Sequence, residues 1–283
     1  MHSSPEFIFV GPSKSGSTWI FELLQSHPEV FVPAAKDLYF FDKYFDKGIR
    51  WYEKHFSDRR PGQVAGELSH DYFSSQLAME RIRRYYPHVK ILCCLRNPYD
   101  RALSSFKFFL RNGLVDENFL DAVEKYPVIL HEGKYFTHLT NLYSVFSKEQ
   151  VLVLFFDDLD QNPEVFARSI FNFLGVDTSF ESDLIGKKIN VASAPRSKFV
   201  AKTAKQIAIL LRSAGFPNLV GRLKRNSFIL DVLFKKDNIS TADSESNKYH
   251  VFSQDIIDIY NKEINDLEIL LKKDLNKWKV KLG

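Results

Sequence analysis

The sequence predicts an α/β fold with a mostly parallel central sheet flanked by helices, and three observations carry that expectation. Lys90–Arg96 and Gln150–Phe156 are apolar almost without interruption, as parallel strands buried on both faces require. A helical pattern follows each of them, and strands alternating with helices build parallel sheets. At the amino end the β-type run Phe7–Val10 leads through a glycine- and serine-rich loop into a helix with Trp19, Leu23 and Leu24 on one face.

The elements between these anchors follow in order. His27-Pro28-Glu29 ends the first helix, and Val30 to Val32 is a short apolar stretch before Pro33. An aromatic-rich region from Tyr39 through Trp51, Tyr52 and Phe56 predicts a helix and loops under a cleft. Gln63 to Glu67 reads as a further strand and Leu77 to Tyr86 as an amphipathic helix with Glu80, Arg81, Arg83 and Arg84 outward. Asn97-Pro98 starts a helix, with Asn as the cap and Pro in the first turn. The run after Asp157 and Asp158 predicts a helix through Leu174, residues 237–248 a polar loop, and Ile256 to Trp278 a last amphipathic helix. Without repeats or a linker, residues 1–283 are expected to form one domain, with 1–185 as the core and 186–283 completing the cleft.

Composition narrows the function classes. The 283 residues are 45% hydrophobic, ample for a packed core, and 39 basic against 35 acidic residues leave a charge of +4, too mild to call for nucleic acid. Basic residues concentrate between Lys187 and Lys236, twelve against the single acid Asp231, which makes that stretch a candidate anion-facing surface and a possible peripheral membrane contact. Cys93 and Cys94 are the only cysteines and, as neighbours on a strand, point to opposite faces, so no disulfide is expected. The Met-His-Ser-Ser-Pro-Glu start lacks signal-peptide character, which gives a soluble, cytoplasmic expectation.

The loop Gly11-Pro12-Ser13-Lys14-Ser15-Gly16-Ser17-Thr18-Trp19 carries the chemistry. A strand, a loop of small residues and a helix start present free amides and the positive end of a helix dipole to an anion. Gly11 and Gly16 fit the triphosphate loop G-x-x-x-x-G-K-[ST], but Ser17 stands where its lysine belongs and the lysine is displaced to position 14. A magnesium-dependent nucleotide kinase or triphosphatase is therefore the alternative reading, alongside a basic module docking on an anionic surface.

The same segment resembles the 5′-phosphosulfate loop of sulfotransferases that use 3′-phosphoadenosine 5′-phosphosulfate (PAPS). Their second signature, an arginine at a strand end and a serine eight residues on, is matched by Arg96 and Ser104 in Arg96-Asn97-Pro98-Tyr99-Asp100-Arg101-Ala102-Leu103-Ser104. His27-Pro28-Glu29-Val30, Lys36-Asp37-Leu38-Tyr39-Phe40-Phe41, Gly133-Lys134-Tyr135-Phe136-Thr137-His138-Leu139 and Val151 to Leu159 are similar to segments of the heparan-type carbohydrate enzymes and their bacterial relatives. Asp37 and Asp157 stand where that subgroup has glutamate.

The resemblance implies a P-loop-like core in which Lys14, Ser15, Gly16, Ser17, Thr18, Trp19, Arg96 and Ser104 hold PAPS, with Arg196 on a basic loop over the adenosine. It implies 3′,5′-ADP as product, no metal, and a carbohydrate, lipid-linked or small-molecule acceptor. Glu67, in Gly66-Glu67-Leu68-Ser69-His70-Asp71-Tyr72-Phe73, matches the subgroup's catalytic glutamate, while Leu68 replaces a lysine. His70 is the competing base, because a histidine has a suitable intrinsic pKa and cytosolic relatives use one. Lys14 is the cation for the leaving phosphate.

Overall fold

The computed structural model describes residues 4–185 and 249–280, with isolated pieces at 194–195, 207, 210–211 and 234–235. Arg196, the basic segment 187–236 and the polar loop 237–248 lie outside the described residues, except for those pieces.

Five parallel strands form the central sheet: β1 (Phe7–Gly11), β2 (Val30–Phe31), β3 (Val64–Leu68), β4 (Lys90–Leu95) and β5 (Val151–Phe155), in the order β2-β3-β1-β4-β5. Alternation along the strands sorts side chains into two cores. Ile8 and Val10 of β1 join Ile91, Cys93 and Leu95 of β4 in one cluster; Phe7 and Phe9 join Leu92 and Cys94 in the other. Cys93 and Cys94 therefore face opposite ways, buried and free.

Helices cover both faces, which is why β1, β4 and β5 read as continuous apolar runs. Helices α1 (Ser17–Ser26), α9 (Phe156–Gln161) and α10 (Pro163–Leu174) pack Trp19, Leu23, Leu159, Phe166 and Ile170 on the Phe9 side. The Ile8 side is covered by α2 (Phe40–Lys43), α3 (Ile49–Glu53), α4 (Gln76–Tyr85), α5 (Pro98–Arg111), α6 (Phe119–Lys125), α7 (Val128–His131), α8 (Tyr135–Val145) and α11 (Gln254–Leu271). The aromatic region becomes the short helices α2 and α3, with Phe40 stacked on Tyr52 at 4.8 Å.

Two expected helices differ. The run after Phe156 is broken at Asn162-Pro163: proline cannot continue α9, and the Asn162 side chain caps α10 through the Val165 amide. The last helix stops at Leu271, because Lys272 turns left-handed (φ 52°) and the Glu268 carboxylate takes the Leu275 amide. Trp278 lies in a separate short turn, its indole N–H donating to Asp157 at 2.8 Å.

Candidate active site

β1 lies between β3 and β4, so the carboxyl ends of three adjacent strands converge, the place where open α/β sheets bind ligands. Gly11 ends β1, Glu67 lies near the end of β3, and Arg96 directly follows β4. Gly11 has φ 122°, and a Cβ there would fall 2.1 Å from the His70 carbonyl oxygen, so the loop start fits only glycine. Gly16, at φ 85°, is the left-handed cap of α1. The first helical bond runs from the Ile20 amide to the Gly16 carbonyl at 3.1 Å, leaving the amides of Ser17, Thr18 and Trp19 without an α-helical acceptor.

Lys14 also has a left-handed backbone, φ 67°, which costs a non-glycine residue on the order of 1 kcal/mol. Its carbonyl accepts a hydrogen bond from Arg96 Nη1 at 3.2 Å. Burial and then the charges of Arg111, Lys36, Arg96 and Arg101 push its ammonium down to about 8. Its Nζ rests 4.8 Å from the centre of the Phe108 ring. Lys36, Arg96 and Arg111 beside Lys14 make the loop locally positive, a field that suits an anion.

Arg96 stacks on Phe156, with its guanidinium carbon 4.7 Å from the ring centre, and Phe156 also lies against Gly16. Asn97 caps α5 by accepting from the Tyr99 amide at 3.0 Å, and Ser104 sits half-buried two turns further on. Ser15 and Ser17 are buried and Thr18 half-buried at the start of α1. The Trp19 ring is turned into the core, buried and 5.7 Å from Phe166 in an edge-to-face contact.

Lys36 was not singled out from the sequence. Its Nζ donates to Ser17 Oγ at 2.9 Å and Thr18 Oγ1 at 3.5 Å, which adds a second lysine to the helix start. The signal was the Lys36–Phe41 segment match, but only the fold brings it to the loop.

Glu67 is 1% exposed, on the same face of the sheet as Ile8. Tyr52 and Tyr72 each donate a hydroxyl to Oε1 at 3.1 Å, and Ser69 donates to Oε2 at 2.7 Å. Burial outweighs these three bonds and lifts the carboxyl to about 7, poised to exchange a proton near neutrality.

His70 is held differently. Nδ1 lies 2.7 Å from Asp37 and Nε2 3.0 Å from Asp71, which is itself paired with Lys43. Burial alone would depress the imidazolium, but the two carboxylates override it and raise its pKa to about 10. A ring that keeps its proton at neutral pH, with a carboxylate on each nitrogen, is a poor base there. It ties the loop of Lys36 to the turn after Glu67. Asp37 adds a backbone bond to the Leu68 carbonyl at 2.8 Å, and the Tyr39 amide donates to Ser69 Oγ at 3.2 Å.

The sulfotransferase-domain family matches residues 4–215, three quarters of the chain and every described element of this site. The chain belongs to that family. Human heparan sulfate glucosamine 3-O-sulfotransferase 5 is 30% identical over 56% of this chain and 50% of its own length. The bifunctional heparan sulfate N-deacetylase/N-sulfotransferase 1 of Caenorhabditis elegans is 28% identical over 61% of this chain and 22% of its own. The chain thus spans about half or less of the curated relatives it matches. Among solved structures, a sulfotransferase from Alicyclobacillus acidocaldarius superposes with a TM-score of 0.60, covering 77% of this chain and 96% of that one at 24% identity. That likeness supports the same sulfotransferase fold.

Proposed function

We propose that the protein is a single-domain, PAPS-dependent sulfotransferase that moves a sulfuryl group onto a hydroxyl or amine of a carbohydrate or glycolipid acceptor. The observation that carries this reading is the convergence of Lys14, Lys36 and Arg96 on a glycine-capped loop at the sheet's switch point. The displaced lysine and the absence of a lysine at position 17 favour this donor over a magnesium triphosphate. Two phosphate positions are needed for a 3′-phosphorylated donor. The α1 start with Lys14 and Lys36 suits the 5′ side, and Arg96 just before the capped start of α5, with Ser104 two turns along that helix, suits the 3′ side.

In the transfer step the Glu67 carboxylate accepts the proton of the acceptor O–H or N–H. The acceptor lone pair forms the new bond to sulfur while the bond from sulfur to the 5′-phosphate oxygen breaks, its electron pair leaving with 3′,5′-ADP. The Lys14 ammonium holds the charge that grows on that oxygen, and positioning supplies the rest of the acceleration. The names of the curated relatives support a glucosamine-containing acceptor.

The test is a transfer screen with PAPS radiolabelled in sulfur over desulfated heparan chains, glycolipids and phenols. Label entering a sugar acceptor, and lost with Glu67→Gln, supports the reading. Label entering only phenols refutes the carbohydrate assignment.

A further inference from the structure

The phosphate loop is gripped on both sides of its strained lysine, and only one grip belongs to a residue expected to touch the donor. Arg96 holds the Lys14 carbonyl. On the other side Ser13 Oγ donates to Glu132 Oε2 at 2.5 Å, and the same oxygen accepts from Arg101 Nη1 at 3.1 Å. Glu132, at the end of α7, is 4% exposed; Arg101, on α5, is fully buried and also donates to the Ile129 carbonyl.

A buried arginine–glutamate pair is a costly way to fill space, since apolar side chains of similar volume are often as stable. An apolar pair could not accept the Ser13 hydroxyl. The bond to Glu132 fixes the residue immediately before Lys14.

We propose that Arg101 and Glu132 are positioning residues which act through Ser13 to hold the phosphate loop, and so set Lys14 and the α1 amides for the 5′ end of the donor. This rests on the donor reading above. Because α5 carries both Arg96 at its threshold and Arg101 in its second turn, one helix start registers the two phosphate positions against each other.

The test needs no acceptor. Titration calorimetry with 3′,5′-ADP and with adenosine 3′-monophosphate, which lacks the 5′-phosphate, compares wild type with Ser13→Ala, Ser13→Thr, Glu132→Gln and the Ser13→Ala/Glu132→Gln double variant. Ser13→Ala should weaken 3′,5′-ADP about tenfold, the scale of one charged hydrogen bond, and leave the 3′-monophosphate within about twofold. Ser13→Thr should restore affinity, and the double variant should bind no more weakly than the weaker single one.

An unchanged affinity in Ser13→Ala overturns the proposal. So do equal losses on both nucleotides, the mark of general destabilisation, and losses that multiply in the double variant. A wild type that binds neither nucleotide overturns this proposal and the donor reading together. Should Glu132→Gln not fold, the alanine and threonine variants of Ser13 carry the test alone.

Discussion

Replacing Glu67 with glutamine should move activity and stability in opposite directions. The carboxyl is buried, and its pKa rises from 4.5 to about 7. A folded-state pKa above the unfolded one means that the charged form costs folding energy. The cost is absent below about 4.5, grows as the pH rises, and is complete above about 7. At about 1.4 kcal/mol per tenfold step in the ionisation constant, it reaches about 3 kcal/mol at pH 8. Glutamine removes the charge and keeps the shape. The Tyr52 and Tyr72 hydroxyls can stay on the amide oxygen, while Ser69 Oγ turns to accept from the new amide. Melting curves by differential scanning fluorimetry should show Glu67→Gln more stable at pH 8 by about 6–12 °C, with the gain vanishing toward pH 4.5. Transfer activity should fall by about 100-fold or more, as removal of a general base requires. A gain that is flat with pH would refute the burial argument, and activity within threefold of wild type would refute the base assignment.

Other outcomes follow from the same geometry. His70→Asn should leave the rise of kcat/KM through pH 7 in place, because His70 is not the group that titrates there; loss of that limb would reinstate it as base. Since its raised pKa stabilises the fold below about 6.5 and is lost as pH rises through about 10, His70→Asn should lower the melting temperature more at pH 6 than at pH 10. Binding of 3′,5′-ADP should weaken as pH rises past about 8, where free Lys14 loses its proton, with proton uptake seen by calorimetry in two buffers; Lys14→Met should abolish the uptake. Asp157→Ala leaves the buried Trp278 indole N–H unpaired and should cost about 1–3 kcal/mol, read as a lower urea midpoint.

Strands β1, β4 and β5 were legible because burial on both faces writes itself as an unbroken apolar run, whereas β3, which carries Gly66 and Glu67, showed only a short β-type start. β2 was not, for two residues carry no periodicity. The Asn162-Pro163 break carried its own signal in the proline, whereas the end of α11 turns on Lys272, a residue with no intrinsic preference for the left-handed region. The Gly11–Gly16 loop and Arg96 were legible as neighbours of a strand end and a helix cap, because strand, turn and cap are contiguous in sequence. Lys36 and His70 were harder: the partners of Lys36 are on α1, and Asp37, which helps to hold His70 charged, comes from a loop more than thirty residues earlier. Glu67 could be picked out by its segment, which also holds two of its hydroxyl partners, Ser69 and Tyr72; the third, Tyr52, comes from an aromatic stretch that suggested only packing, and the burial that raises its pKa comes only with the fold.

The central claim is that the loop between Gly11 and Gly16 serves a 3′-phosphorylated adenylyl donor. Thermal-shift titrations of the wild-type chain with 3′,5′-ADP and with magnesium ATP test it most directly. Stabilisation by 3′,5′-ADP that is lost in Arg96→Ala, with little response to magnesium ATP, is the predicted result. Stabilisation by magnesium ATP with none by 3′,5′-ADP would contradict the account.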